Sequence, residues 1–157
     1  MRKRIIPQDT PGTSSPREEW LNLEHLAEVE LTSEDPSHPI EFAFTPETGR
    51  GWRASEPGPQ TIRIRFDKPL HVKHIHLAFQ EDEQPRTQEF LLRWSSDGGG
   101  SYREITRQQY NFSPPHTNRE EEDYAVDLQD LNVLEITITP DINGGDARAS
   151  MRQFLVT

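Results

Sequence analysis

At 157 residues the chain is long enough for one domain with a buried core and too short for several. Its 27 acidic against 17 basic side chains leave a formal charge of −10, which argues against nucleic acid as a partner, because phosphate-backbone binding needs clustered Lys and Arg. There is no cysteine, hence no disulfide and no thiolate ligand or nucleophile, and no apolar run approaches the ~20 residues of a membrane-spanning helix.

Met1 to Arg4 is a basic start, but Ile5, Ile6 and Pro7 follow where a secretory signal carries an apolar run of roughly 7–15 residues. The sequence therefore predicts a cytoplasmic location. Residues 1–15, rich in Pro, Ser and Gly, are expected to be a flexible tail, with a single domain over 16–157. Ser15-Pro16-Arg17-Glu18 offers an N-cap, a proline at the first helical position and a glutamate three residues after the cap. A short helix should follow through Trp20 and Leu23, docked as a lid with Trp20 buried.

Ala27, Val29 and Leu31 alternate with Glu28, Glu30 and Thr32, the pattern of a strand with one face inward. Pro36 and Pro39 cannot donate to a ladder, so residues 33–39 read as a loop. Further strands are predicted over 62–66, 72–79, 89–94, 102–106, 123–128 and 133–139, with residues 150–156 closing the structure. Ile62, Ile64, Phe66, Ile75, Leu77 and Phe79 should face the core; Arg63, Arg65, His74 and His76 should face out. Trp94 shares the parity of Phe90 and Leu92 and should be buried with them. Asp97-Gly98-Gly99-Gly100 marks a hairpin turn, because consecutive glycines accept the positive φ such turns require, and Asn143-Gly144-Gly145-Asp146 marks a second. Short strands punctuated in this way predict an all-β fold, a sandwich of about eight strands with a short N-terminal helix.

Gly51-Trp52-Arg53-Ala54 ahead of a strand, Gln60 to Phe66, the Ser95 to Gly99 turn after Phe90 to Trp94, and Ala149-Ser150-Met151 entering the last strand together resemble the discoidin, or coagulation-factor C-type, galactose-binding-like jelly rolls. Residues 32–36, 39–41, 86–90, 111–114 and 140–141 look like a bacterial stand-alone, carbohydrate-binding-like subgroup of that group. The resemblance implies a jelly-roll β-sandwich and a non-enzymatic module that binds sugars, lipid head groups or proteins through loops at one end. It also implies a calcium ion near the loop after the first strand, for which Glu34, Asp35 and Glu41 could supply hard oxygen ligands. Three features depart from the pattern: Ser150-Met151-Arg152 stands where an acid often opens the last strand, the sugar-binding His and Arg pattern of the fucose-binding relatives is not recognisable, and paired terminal cysteines are missing.

Candidate ligand-binding residues are those that combine stacking rings with planar hydrogen-bonding groups on predicted connections: Trp52, Arg53, Arg86, Gln88, Tyr110 and Asn111. They should converge at one end of the sandwich and be partly exposed. The bland alternative is that the rings plug the ends of the sandwich and the arginines pair with neighbouring carboxylates. A second functional alternative is a cupin-like metal-dependent enzyme using His74, His76 and Glu81, since histidines at i and i+2 of a strand point to one side about 7 Å apart. The third is a protein-interaction module.

Overall fold

The structure is a computed structural model that describes residues 20–46 and 49–157. The predicted tail and the capping signal at residues 15–18 lie outside the described residues. A single helical turn α1 (Leu23–Leu26) leads directly into β1 (Ala27–Leu31), and a 3₁₀ turn spans Ile40–Phe44. The remaining elements are β2 (Trp52–Pro57), β3 (Gln60–Gln80), β4 (Arg86–Ser95), β5 (Arg103–Phe112), β6 (Arg119–Thr139), β7 (Arg148–Met151) and β8 (Gln153–Val156). No helix among the described residues is long and apolar enough to cross a membrane.

Two long strands build both layers of a sandwich. Residues 60–66 of β3 lie between β1 (Leu31 opposite Ile62) and residues 133–138 of β6, with β4 and then β5 continuing outward from β6. The β3–β6 register slips repeatedly between Arg65 and His74, around Pro69, and β6 answers with Asp130 at φ 56°. Such irregularities bend a ladder, and proline is tolerated there because a bulge leaves a donor unpaired anyway. Beyond the bend, residues 74–80 of β3 pair with residues 119–125 of β6 on one side and with β8 on the other. All of these pairings are antiparallel.

The core fills the space between the layers. Phe79 beyond the bend stacks on Phe90 of β4 with ring centroids 5.3 Å apart, although β3 and β4 share no ladder, so the two rings meet face to face across the sandwich. Ile62, Ile64, Ile75, Leu77, Leu92, Leu134, Ile136, Ile138 and Phe154 are all buried around them. The inward and outward faces predicted from the alternation of β1, β3 and β4 are those observed.

Several expectations need correction. Segments 62–66 and 72–79 are one strand, as are 123–128 and 133–139, because each pair continues through the bend with the same ladder partner. The β2 strand was not anticipated, and β5 runs on to Phe112 instead of yielding a long loop. Trp20 is half-buried, its ring stacked on His74 at 5.2 Å instead of entering the core. Trp94 does face inward opposite Leu134, but near the margin of the sheet it stays half-exposed with the Arg103 guanidinium 5.6 Å over its ring.

Candidate functional site

β2 and β7 form a separate antiparallel ribbon in which Trp52 opposes Met151 and Arg53 opposes Ser150. Side chains alternate along a strand, so Ala149 and Met151 point into the core, both fully buried, while Arg148 and Ser150 point outward and, with Arg152 just past the end of β7, line the same pocket as Arg53. The other edge of β2 is held by residues 33–38: the Asp35 amide donates to the Arg53 carbonyl at 2.8 Å, and the Arg53 amide to the His38 carbonyl at 3.2 Å. Gly51 precedes the ribbon at φ +69°, a left-handed conformation that side chains disfavour. The ribbon's outward face floors a pocket of about 250 Å³ lined by His38, Arg50, Arg53, Arg148, Ser150 and Arg152.

The opposite wall is the end of β3 and the start of the β3–β4 connection, residues 80–83, which also line the pocket. Glu81 anchors it. One carboxylate oxygen accepts from Arg86 Nε at 2.6 Å, and the other accepts from the Glu83 amide at 2.9 Å and the Gln84 amide at 3.3 Å. Burial alone would push the Glu81 carboxyl up, but the Arg86 guanidinium and the two amides outweigh it, and the group titrates below the usual carboxylate range. Asp82 is likewise occupied, accepting from Gln80 and Asn118 side-chain amides. Arg50 lies with its guanidinium 5.2 Å over the Phe42 ring, and Arg152 donates through Nη1 to Gln80 Oε1.

The six ligand residues expected from sequence divide into two groups. Trp52 and Arg53 belong to the pocket, but the Trp52 ring is only 1% exposed and its Nε1 donates to the Ser33 carbonyl at 3.1 Å, so it offers no stacking face. Arg86 and Gln88 lie on β4, not on a loop, and both are buried. Arg86 donates to Gln88 Oε1 and to the Pro140 carbonyl, its guanidinium sits 4.8 Å over the Phe112 ring, and its Nη2 is buried with no partner among the described residues. Tyr110, opposite Gln88 on β5, is half-buried, packs on Phe112 at 4.9 Å and donates to the Arg119 carbonyl. Asn111 points to the other face of β5, where it accepts from Thr87 Oγ1 at 2.7 Å.

Thus Arg86, Gln88 and Tyr110 do converge, but with Arg86 and Gln88 inside the sandwich and Tyr110 half-buried beside them. Their contact with the pocket runs through Glu81. Sequence reasoning missed His38, Arg50, Arg148 and Arg152; the alternation of Arg148, Ser150 and Arg152 around buried Ala149 and Met151 was the available signal.

Gln88 Nε2 donates to Glu120 Oε1 at 3.3 Å, and Glu120 sits buried on the inward face of β6. Burial first, and then the neighbouring Glu122 carboxyl, push Glu120 up to about 8.

The cupin-like arrangement is not assembled. His74 Nε2 and His76 Nδ1 both reach Asp123 Oδ1, at 3.1 and 2.9 Å, and His76 Nε2 contacts Gln153, whereas Glu81 is bound to Arg86. Two of the three expected calcium ligands make local hydrogen bonds. Glu34 accepts from the Ile40 amide at 2.6 Å, Asp35 accepts from the Ser37 amide and hydroxyl, and Glu41 stands exposed at the start of the 3₁₀ turn. Among the described residues no group of three or more His, Asp or Glu is disposed to hold a metal.

No protein-family model matches the chain, and no curated protein matches it. Solved structures do. The CpGH89CBM32-5 module from Clostridium perfringens, in complex with GalNAc-β-1,3-galactose, superposes with a TM-score of 0.60 at 16% identity over 87% of this chain and 98% of its own. The C. perfringens CpGH89CBM32-4 module, in complex with GlcNAc-α-1,4-galactose, gives 0.64 at 15% identity over 88% and 94%. A pectin-binding carbohydrate-binding module gives 0.58 at 13% identity over 84% and 90%. With the two-layered topology above, these likenesses establish that the chain has the galactose-binding-like, discoidin-type jelly-roll fold.

Proposed function

We propose that the protein is a non-enzymatic carbohydrate-binding module whose ligand occupies the pocket between the β2–β7 ribbon and residues 80–83. The observation that carries this reading is the open, arginine-lined pocket on a fold whose solved relatives hold sugars. Guanidinium and hydroxyl groups are suited to sugar hydroxyls, and Arg53, Arg148, Arg152 and Ser150 supply them from a ribbon pinned at both edges. The acids on the facing wall are held in place by Arg86, Gln80 and Asn118, which favours a structural role for Glu81 and Asp82 over acid–base chemistry. Its experiment is a glycan array followed by calorimetry. Saccharide binding that Arg53→Ala abolishes without loss of fold supports the assignment, and a blank array with a positive protein pull-down would replace it with a protein-interaction role.

A further inference from the structure

The arginines of this protein are distributed unevenly between paired and unpaired states. Of the eleven arginines in the described residues, six (Arg63, Arg65, Arg86, Arg93, Arg107 and Arg119) are in ion pairs. Four of the other five, Arg50, Arg53, Arg148 and Arg152, line one pocket, and the fifth, Arg103, lies over Trp94. The contacts that orient Arg50 and Arg152, an aromatic face and an amide oxygen, leave their charge uncompensated. Of the acids on the facing wall, Glu81 is neutralised by Arg86, while Asp82, held by neutral amides, and Glu83 stand exposed at the rim.

A concentration of guanidinium groups outside ion pairs is unfavourable by itself, since like charges close together repel; among the described residues Asp35 feels the Arg53 charge but no carboxylate pairs with any of the four. It becomes favourable when an anion bridges them, because a planar guanidinium fork matches the two oxygens of a carboxylate, or those of a sulfate, in a bidentate pair. On a chain of net charge −10 the pocket lining brings together four arginines against three acids, one of which is already paired with Arg86. The ribbon supplies the geometry: Arg53 stands opposite Ser150, Arg148 lies opposite Pro57 across a register shift, and Arg152 follows just past the end of β7, with the three arginines and Ser150 all lining the same pocket.

We propose that the pocket selects acidic saccharides, seating the carboxylate or sulfate oxyanion of the sugar among Arg53, Arg148 and Arg152 around the Ser150 hydroxyl. This rests on the carbohydrate-binding reading above and adds the class of sugar. Serine donates the neutral hydrogen bond at the centre, and Arg50 closes the open side.

Calorimetry with the full chain decides it, using α-1,4-linked tri-galacturonate, neutral α-1,4-linked galactotriose and a sulfated galactan oligosaccharide as probes. At least one acidic probe should bind ten-fold or more tightly than the neutral one, and which of the two does so identifies carboxylate or sulfate ester. The ratio should fall towards one in Arg148→Gln and in Arg53→Gln, both checked for unchanged unfolding, and persist in Arg107→Gln on β5. Equal affinities for acidic and neutral probes, with binding still lost in Arg53→Ala, would overturn charge selection while leaving the carbohydrate assignment intact. An acidic preference that survives the Arg53→Gln/Arg148→Gln double variant would also overturn it, by placing the recognition elsewhere. Failure of all three probes overturns it as well, and the glycan array then decides separately whether any sugar is bound.

Discussion

A methyl group placed on Gly51 would meet the Met151 carbonyl oxygen at 2.5 Å and the Arg152 Cα at 2.6 Å. Both contacts are to backbone, so no side chain can swing aside, and the residue's φ of +69° adds conformational strain to any substitution. Gly51 therefore sets the separation of β7 from the start of β2.

Gly51→Ala should destabilise the protein by ~2–4 kcal/mol and also weaken the saccharide binding proposed for the pocket, because displacing β7 moves Arg148 and Arg152 away from Arg53. Thermal unfolding and calorimetry measure the two effects. A wild-type midpoint would mean that the ribbon is loose enough to accommodate a methyl group, contrary to the packing described.

Arg86→Ala should cost ~3–5 kcal/mol, since it leaves the largely buried Glu81 carboxylate without its cation and removes the bonds to Gln88 and Pro140. Arg86→Met, which preserves the stem over Phe112, should cost less only if Glu81→Gln is combined with it. Chemical denaturation of the single and double variants reads this as a coupling energy. Purely additive losses would show that the two residues act independently.

Stability should fall on both sides of a maximum in the ordinary carboxylate range. Glu120 has a raised pKa in the folded protein, so the folded state holds the proton more tightly than the unfolded one from the ordinary carboxylate range up to about 8, and stability declines as pH rises through that window. Glu81 and Glu135 are shifted the other way, their burial outweighed by Arg86 and by the Arg93 and Arg63 pair respectively, so stability is lost as pH falls through their lowered values. Glu120→Gln should flatten the alkaline arm, raising stability at pH 8.5 by ~1–3 kcal/mol with little effect at pH 4.5. A variant whose alkaline decline matches wild type would show that Glu120 is not the group responsible.

Phe90→Ala should destabilise by ~3–5 kcal/mol, whereas Trp94→Ala should cost about half as much, because Phe90 is sealed against Phe79 and Trp94 keeps part of its ring in solvent under Arg103. Urea midpoints of the two variants suffice. The reverse order would mean that the margin of β4 is packed more tightly than its centre.

The alternation at Ile62 and Ile64, and at Ile75, Leu77 and Phe79, made the strands and their faces legible, since period-two burial is a local property of a chain. That the two runs are one strand was not legible, because continuity through Pro69 depends on β6 following the same bend. Arg86 and Gln88 suggested a loop because they are polar. Their parity with Phe90 and Leu92 places them inward, and it is Glu81 five residues upstream, together with Pro140 and Glu120 far off in the sequence, that make such burial affordable. Trp52 similarly looked like a stacking platform until its partner Met151 was known. The pocket could not be read from any one segment, since Arg53 and Ser150 become neighbours only through the pairing of strands that nearly span the chain.

Because β3 and β6 each pass through both layers, neither layer can peel away while the other stays folded. Loosening the β8 side pulls directly on the same two backbones that carry β1 and β4. Their ladder also closes from Gln80 opposite Arg119 to Gln60 opposite Ile138, so its last rungs join the most distant residues. Such a chain should nucleate at the β4–β5 hairpin, wait on the long-range closure, and unfold as one slow cooperative unit.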